Sequence, residues 1–99
     1  MDSEEQLVLN FAAVAQEAAA MSDAALAGDL EEARFRARLL IAKADRARFV
    51  GVSLATADLL ATLGPPGAPP DVGYGAQMLR VADELDAVPL PPGTRRQGR

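Results

Sequence analysis

The chain has 99 residues, the size of one small domain, so a two-domain enzyme is excluded. It contains no histidine, cysteine or tryptophan, which removes imidazole bases, thiolate nucleophiles, Cys/His zinc sites and disulfides. Hydrophobic residues make up 49% of the chain, aromatic ones only 4%, and 21 residues are alanine, so we expect a core of aliphatic and small side chains.

The charge balance is mildly acidic, with 14 acidic residues, 10 basic residues and a net charge of −4. A general nucleic-acid-binding protein needs a basic surface to neutralise phosphates, so this balance disfavours a nucleic-acid partner. The amino terminus is acidic where targeting signals are basic, and no apolar run reaches the roughly 18 to 20 residues that cross a membrane. These features favour a cytoplasmic protein with no membrane partner.

The first predicted helix covers residues 4–27. Ser3 and Gln6 have the spacing of a capping box, in which each side chain bonds the backbone amide of the other residue. Glu17 falls on a narrow polar side of this helix. The apolar side follows the three- and four-residue spacing of an amphipathic helix and consists of Leu7, Phe11, Val14, Ala18, Met21 and Ala25.

A second helix is predicted over residues 30–63, as a single helix. Gly28 and Asp29 indicate a tight turn before it, because glycine accepts the left-handed closing conformation and aspartate caps the next helix. No proline interrupts the chain before Pro65. The alternative is two helices divided at residues 50–53, where glycine and β-branched residues lower the helical preference.

One face of the second helix is built mostly from small residues, namely Ala33, Ala37, Leu40, Ala44, Ala47, Gly51 and Ala55. Such a face lets the first helix approach near the lower end of the usual 8 to 10 Å between helix axes, about 8 Å. We therefore expect an antiparallel hairpin of the two helices, and we expect larger residues at Ala44 or Gly51 to destabilise it.

Residues 64–70 contain four prolines and are predicted to form a linker between helices. A shorter third helix is expected over residues 72–88, with Asp71 as its cap. One apolar stripe indicates that this helix docks by one side, through Tyr74, Met78, Val81, Leu85 and Val88. Together residues 1–88 form the predicted domain, and residues 89–99 a disordered, proline-rich basic tail.

Six residues are candidates for partner binding: Arg34, Arg38, Arg46, Arg48, Asp58 and Tyr74. The arginines belong to a basic block that is either a solvated face or a surface for an acidic partner or RNA. Helical spacing favours the intrahelical pairs Glu31/Arg34, Glu32/Arg36 and Asp45/Arg48. Asp58 is the lone charge between residues 51 and 63, and it either reaches solvent at the bundle edge or pairs with an arginine. Tyr74 is predicted to anchor the last helix.

The segment Ala25-Leu26-Ala27-Gly28-Asp29, followed by Glu32-Ala33, resembles the helical turn of histidine phosphotransfer (HPt) domains. Residues matching further along the chain are Gly51, Leu54, Leu79, Leu85 and Val88. The resemblance implies a signalling bundle that docks a kinase or a response regulator. The phosphoacceptor histidine of the family falls near Arg38 or Ile41 here, and neither residue accepts a phosphoryl group, so no catalytic residue carries over.

The sequence thus predicts an all-α fold, a helical hairpin closed by a shorter third helix and completed by homodimerisation, because its apolar faces exceed what one chain covers. We expect no enzymatic activity, no cofactor and no metal. The expected function is a protein–protein interaction or regulatory module that binds itself and another protein through helix faces. The alternatives are the phosphotransfer-type bundle without phosphate, and a small ligand-binding or enzymatic bundle that uses Asp58, Tyr74 and arginines.

Overall fold

The structure is a computed structural model that describes residues 2–91. These residues form an all-α fold with no strand. Its four helices are α1 (Ser3–Leu26), α2 (Leu30–Ala47), α3 (Val50–Leu63) and α4 (Tyr74–Asp86). The all-α prediction is therefore confirmed, whereas the single helix expected over residues 30–63 is divided into α2 and α3.

The caps of α1 and α2 are both aspartates. The Asp2 side chain accepts a hydrogen bond from the Glu5 amide at 2.8 Å, so it caps α1 in place of the expected Ser3. Asp29 caps α2 as expected, because its carboxylate accepts from the Glu32 amide at 3.1 Å. Gly28, between the two helices, has a φ of 80°, a conformation that costs glycine little.

The break between α2 and α3 lies at Arg48, which adopts the left-handed conformation with a φ of 66°. The Arg48 and Phe49 amides donate to the last carbonyls of α2, at Asp45 (3.1 Å) and Ala44 (2.8 Å). Phe49 is buried, and its ring meets Phe11 of α1 edge-on with the ring centroids 6.4 Å apart. Burial of this ring at the turn gives a physical reason for the break, which precedes the Val50–Ser53 segment suggested by helix propensity.

The buried core draws on all four helices. Consecutive helices pack against each other, while α1 and α4 have a smaller mutual contact. The small face predicted on α2 is inaccessible to solvent at Ala33, Ala37 and Ala44. Larger buried side chains that fill the space between the helices include Val14, Met21, Leu40, Val52, Leu59, Leu63 and Val81.

At the end of the segment between α3 and α4, the cap residue of α4 differs from the predicted Asp71. Gly73, with a φ of 97°, takes the cap position of α4, and the Asp71 amide donates to the Thr62 carbonyl at 2.9 Å. The apolar stripe of α4 packs on the core as expected. Leu90, in the segment predicted as a tail, packs against the core. Residues 92–99 of that predicted tail lie outside the described part of the chain.

Because Ala44 is fully buried on the small face of α2, we expect Ala44→Leu to destabilise the fold by about 1 to 3 kcal/mol through overpacking. Urea denaturation followed by circular dichroism measures this change. Ala42→Leu is the matched control, since Ala42 is exposed on the same helix and should shift stability by less than about 0.5 kcal/mol. Equal stabilities for the two variants would contradict the close packing of α2.

Gly51 requires a different prediction from the one that its sequence pattern suggested. A methyl group at this position would collide with the Glu84 carboxylate of α4, and that flexible group can move aside. We expect Gly51→Ala to change stability by less than about 1 kcal/mol, because its gain in helix propensity offsets the displacement of Glu84. In a Glu84→Ala background the same substitution should stabilise by about 1 kcal/mol. A loss of stability in both backgrounds, measured by urea denaturation, would place rigid atoms beside Gly51.

Candidate interaction surface

Arg34 is the most deeply buried charged residue of the chain that the structure describes, with 1% of its surface exposed. Its guanidinium crosses from α2 to the carboxyl end of α3. Nη2 donates to the carbonyls of Leu63 (2.7 Å) and Ala68 (2.6 Å), and Nε donates to the carbonyl of Gly64 (3.1 Å). A cation at this end also complements the partial negative charge of the helix terminus.

Glu31 completes the Arg34 network. One carboxylate oxygen accepts from Arg34 Nη1 at 2.9 Å and from the Gly67 amide at 2.8 Å. The predicted Glu31/Arg34 pair is thus present, but it serves the loop as well as the helix. Because all these bonds lie within the chain, the structure corrects the expectation that Arg34 is a surface residue for a partner.

A second buried charge, Glu17, lies between α1 and α2 with 5% of its surface exposed. Its two oxygens accept from Arg36 Nη1 at 2.8 Å and from Lys43 Nζ at 3.5 Å. The predicted Glu32/Arg36 pair is also formed, with a distance of 2.8 Å. Hydrogen bonds from Arg36 to Glu17 and Glu32 raise the pKa of its guanidinium.

The structure leaves three of the predicted arginines exposed: Arg38, Arg46 and Arg48. Among residues 2–91 none of them has an ion-pair partner. The expected Asp45/Arg48 pair is absent there, because Asp45 accepts a hydrogen bond from the Ser53 hydroxyl instead. These three side chains remain available for contact with an acidic group.

Asp58 and Tyr74 both make contacts within the chain. The Asp58 carboxylate pairs with Arg80 Nη1 at 2.9 Å and so joins α3 to α4. Pairing with an arginine is one of the two alternatives predicted for Asp58. Both side chains are more than half exposed, so this pair stabilises the fold by less than about 1 kcal/mol. Tyr74 is partly buried at the start of α4 and packs against the core, which is the anchoring position that the sequence predicted.

The outer side of α3 presents an uncharged apolar surface that we call the α3 face. Its members recur at helical spacing and are all exposed: Val50, Leu54, Ala57 and Ala61. Val50 is 64% exposed and Leu54 61% exposed. No charged residue interrupts the α3 face, since Asp58 lies at its edge and is neutralised by Arg80. A contiguous apolar surface of this kind is typical of an interaction site.

A second apolar surface lies where the end of α1 approaches the start of α4. We call it the α4 groove; it is open, has a volume of about 680 Å³ and is lined by Leu26, Pro70, Val72, Tyr74, Met78 and Leu79. Leu26, Val72 and Leu79 are strongly exposed. The α4 groove is shared between the end of α1, the loop before α4 and the start of α4.

The polar side chains of the interior are engaged with one another. Within residues 2–91 no buried side-chain nitrogen or oxygen lacks a hydrogen-bond partner. Ser53 bonds Asp45, and the Thr56 hydroxyl donates to the Val52 carbonyl at 2.7 Å. In the same residues no group of three or more acidic, histidine or cysteine side chains is placed to hold a metal ion.

No known protein family matches the chain, and neither curated proteins nor solved structures yield a significant match. None of the helices in the described residues combines the length and apolar character needed to cross a membrane.

Arg34 provides a sharp test of the helix-end network. We expect Arg34→Ala to destabilise the fold by about 3 kcal/mol, because it leaves the carbonyls at the end of α3 without donors. Arg34→Lys should recover only part of this loss, since a single ammonium cannot reproduce the fork of guanidinium donors. Thermal and urea denaturation give the measurement.

The matched control for Arg34 is Arg38→Ala, at an exposed position of the same helix. It should alter stability by less than about 0.5 kcal/mol. If Arg34→Ala and Arg38→Ala are equally stable, the guanidinium does not hold the end of α3.

Proposed function

We propose that this chain is a non-catalytic protein–protein interaction module that acts through its helix faces and associates with a second copy of itself. The α3 face is the observation that carries the proposal. Full burial of a leucine or valine side chain contributes about 1.5 to 3 kcal/mol, and the outward positions of Val50 and Leu54 leave that contribution unused in one chain. Covering them gives a partner a source of binding free energy.

We infer an up-and-down arrangement of four helices in which each helix runs antiparallel to the preceding one. Three contacts between opposite helix ends support it. Phe11, early in α1, meets Phe49 after the end of α2; Arg34, early in α2, reaches the end of α3; and Gly51, early in α3, lies against Glu84, late in α4. This four-helix arrangement takes the place of the predicted hairpin closed by a third helix, because the predicted second helix is divided into α2 and α3.

Besides the α3 face, the described residues expose three arginines; Arg48 lies two residues before Val50, whereas Arg46 lines a groove with Asn10 and Ala13 of α1. Arg38, Arg46 and Arg48 have no ion-pair partner within the described residues, so an acidic group on a second protein is their natural complement. Charges at the border of an apolar contact act mainly on association rate and specificity. The apolar residues would therefore supply affinity, and the arginines would select the partner.

A phosphotransfer-type signalling bundle is the first alternative. Its support is the exposed position of Arg38 on α2, since the resembling family carries its phosphoacceptor near Arg38 or Ile41. Docking of a kinase or response regulator there predicts that charge reversal on α2 abolishes the contact. Pull-down of a response regulator with wild-type protein and with Arg38→Glu distinguishes this role from self-association.

A ligand-binding or enzymatic bundle is the second alternative, and it has less support. The Asp58 carboxylate is engaged with Arg80, and the Tyr74 ring packs on the core at the edge of the α4 groove. The buried hydroxyls of Ser53 and Thr56 are likewise bonded within the fold. Catalysis by these residues would require the loss of existing contacts.

Self-association is tested by sedimentation equilibrium at tens of micromolar protein. We expect a homodimer for the wild-type chain and a folded monomer for Leu54→Glu, because a carboxylate on the α3 face is costly to bury. Leu26→Glu is the matched control: this leucine is exposed in the α4 groove, and its replacement should leave the dimer intact. A wild-type monomer at this concentration would reject self-association.

A further inference from the structure

The described helices differ in the charge that they expose. The outer side of α2 carries Arg38 and Arg46, that of α4 carries Asp83 and Asp86, and α1 exposes acidic residues near its two ends. The α3 face has no charge. An uncharged surface binds best to another uncharged surface, because a charge buried against it would lose its hydration without gaining a partner. The α3 face of a second copy meets that requirement.

The order of residue sizes on the α3 face further restricts the way that two copies can meet. The bulky residues, Val50 and Leu54, occupy the first half of α3, and the small ones, Ala57 and Ala61, occupy the second half. If two copies run parallel in register, bulky residues oppose bulky residues and the alanines face a gap. If they run antiparallel, each bulky residue can be set against an alanine. Close packing of helices favours such alternation of large and small side chains.

We propose that a second copy of this chain covers the α3 face by antiparallel packing of α3 on α3, with Val50 opposite Ala61 and Leu54 opposite Ala57. Both pairs fit one register, because each is symmetric about the point midway between residues 55 and 56. This inference rests on the self-association proposed above and assigns the interface and its geometry. The two-fold symmetry makes the same surface serve both copies.

The electrostatic setting of α3 is consistent with this register. Asp58 lies at the edge of the α3 face and already has a cation 2.9 Å away, so the contact does not bury an unpaired charge. Antiparallel helices also place opposite ends of their dipoles side by side. The alanines permit an axis separation near the lower end of the usual range, about 8 Å.

Disulfide trapping tests the register directly, because the chain has no cysteine of its own. Val50→Cys protein carrying an affinity tag is mixed with untagged Ala61→Cys protein and oxidised mildly. In the proposed register a disulfide joins position 50 of one copy to position 61 of the other. Two copies of position 50 are separated along the helices by 11 residues, about 16 Å, which is beyond the reach of a disulfide. The mixed disulfide should therefore exceed the Val50→Cys homodimer at least tenfold.

The alternative outcomes separate the inference from the proposed function. A predominant Val50→Cys homodimer would show parallel packing and overturn the inference. Absence of both disulfides from a chain that sediments as a dimer would place the contact elsewhere, such as the α4 groove, and would overturn the inference while leaving self-association intact. A monomer in sedimentation would overturn both.

A size-changing variant gives a second, independent measurement. Ala57→Leu adds bulk where Leu54 of the second copy is expected, so it should raise the dimer dissociation constant by roughly tenfold or more. Ala57 is exposed, and circular dichroism should show an unchanged fold. The control is Ala42→Leu, an exposed alanine of α2 outside the α3 face. An unchanged or lower dissociation constant for Ala57→Leu would reject the pairing with Leu54.

Discussion

The insertion of Arg34 into the end of α3 is the interaction on which the rest of the structure depends. One guanidinium joins α2, the terminal carbonyls of α3 and the proline-rich loop, and Glu31 anchors the same loop through Gly67. Removing a guanidinium from water is costly unless its donors are satisfied, and here each nitrogen has an acceptor. This network holds the carboxyl end of α3 against α2, while the buried residues Val52, Ala55 and Leu59 lie on the side of α3 opposite the α3 face.

The backbone turn at Arg48 has the complementary role at the other end of α3. A left-handed conformation at a non-glycine residue is unfavourable on its own, and burial of Phe49 against Phe11 offsets that cost. The turn separates α2 from α3 and lets both contribute to one core. If the chain continued as one helix, the apolar residues of α3 would extend beyond the reach of α1.

The sequence was sufficient for the features that depend on local chemistry. Helical periodicity predicted the all-α class, the small buried face of α2 and the docking stripe of α4. The turn residue Gly28 and the capping residue Asp29 predicted the start of α2 at Leu30. It failed where a distant contact decides the outcome: the break at Arg48 depends on Phe11, and the burial of Arg34 depends on carbonyls about 30 residues away. Glu17 belongs to the same class, because its cations come from another helix.

The segment between α3 and α4 has the composition of a tether, yet it is bonded at several successive points. Gly64, Gly67 and Ala68 are each held by Arg34 or Glu31, and Asp71 is bonded back to Thr62. Prolines lower the conformational entropy that this ordering costs. The segment is therefore a connection of fixed geometry. Because it rarely opens to the extended form that endoproteases bind, we expect endoproteases to cleave it slowly despite its surface location.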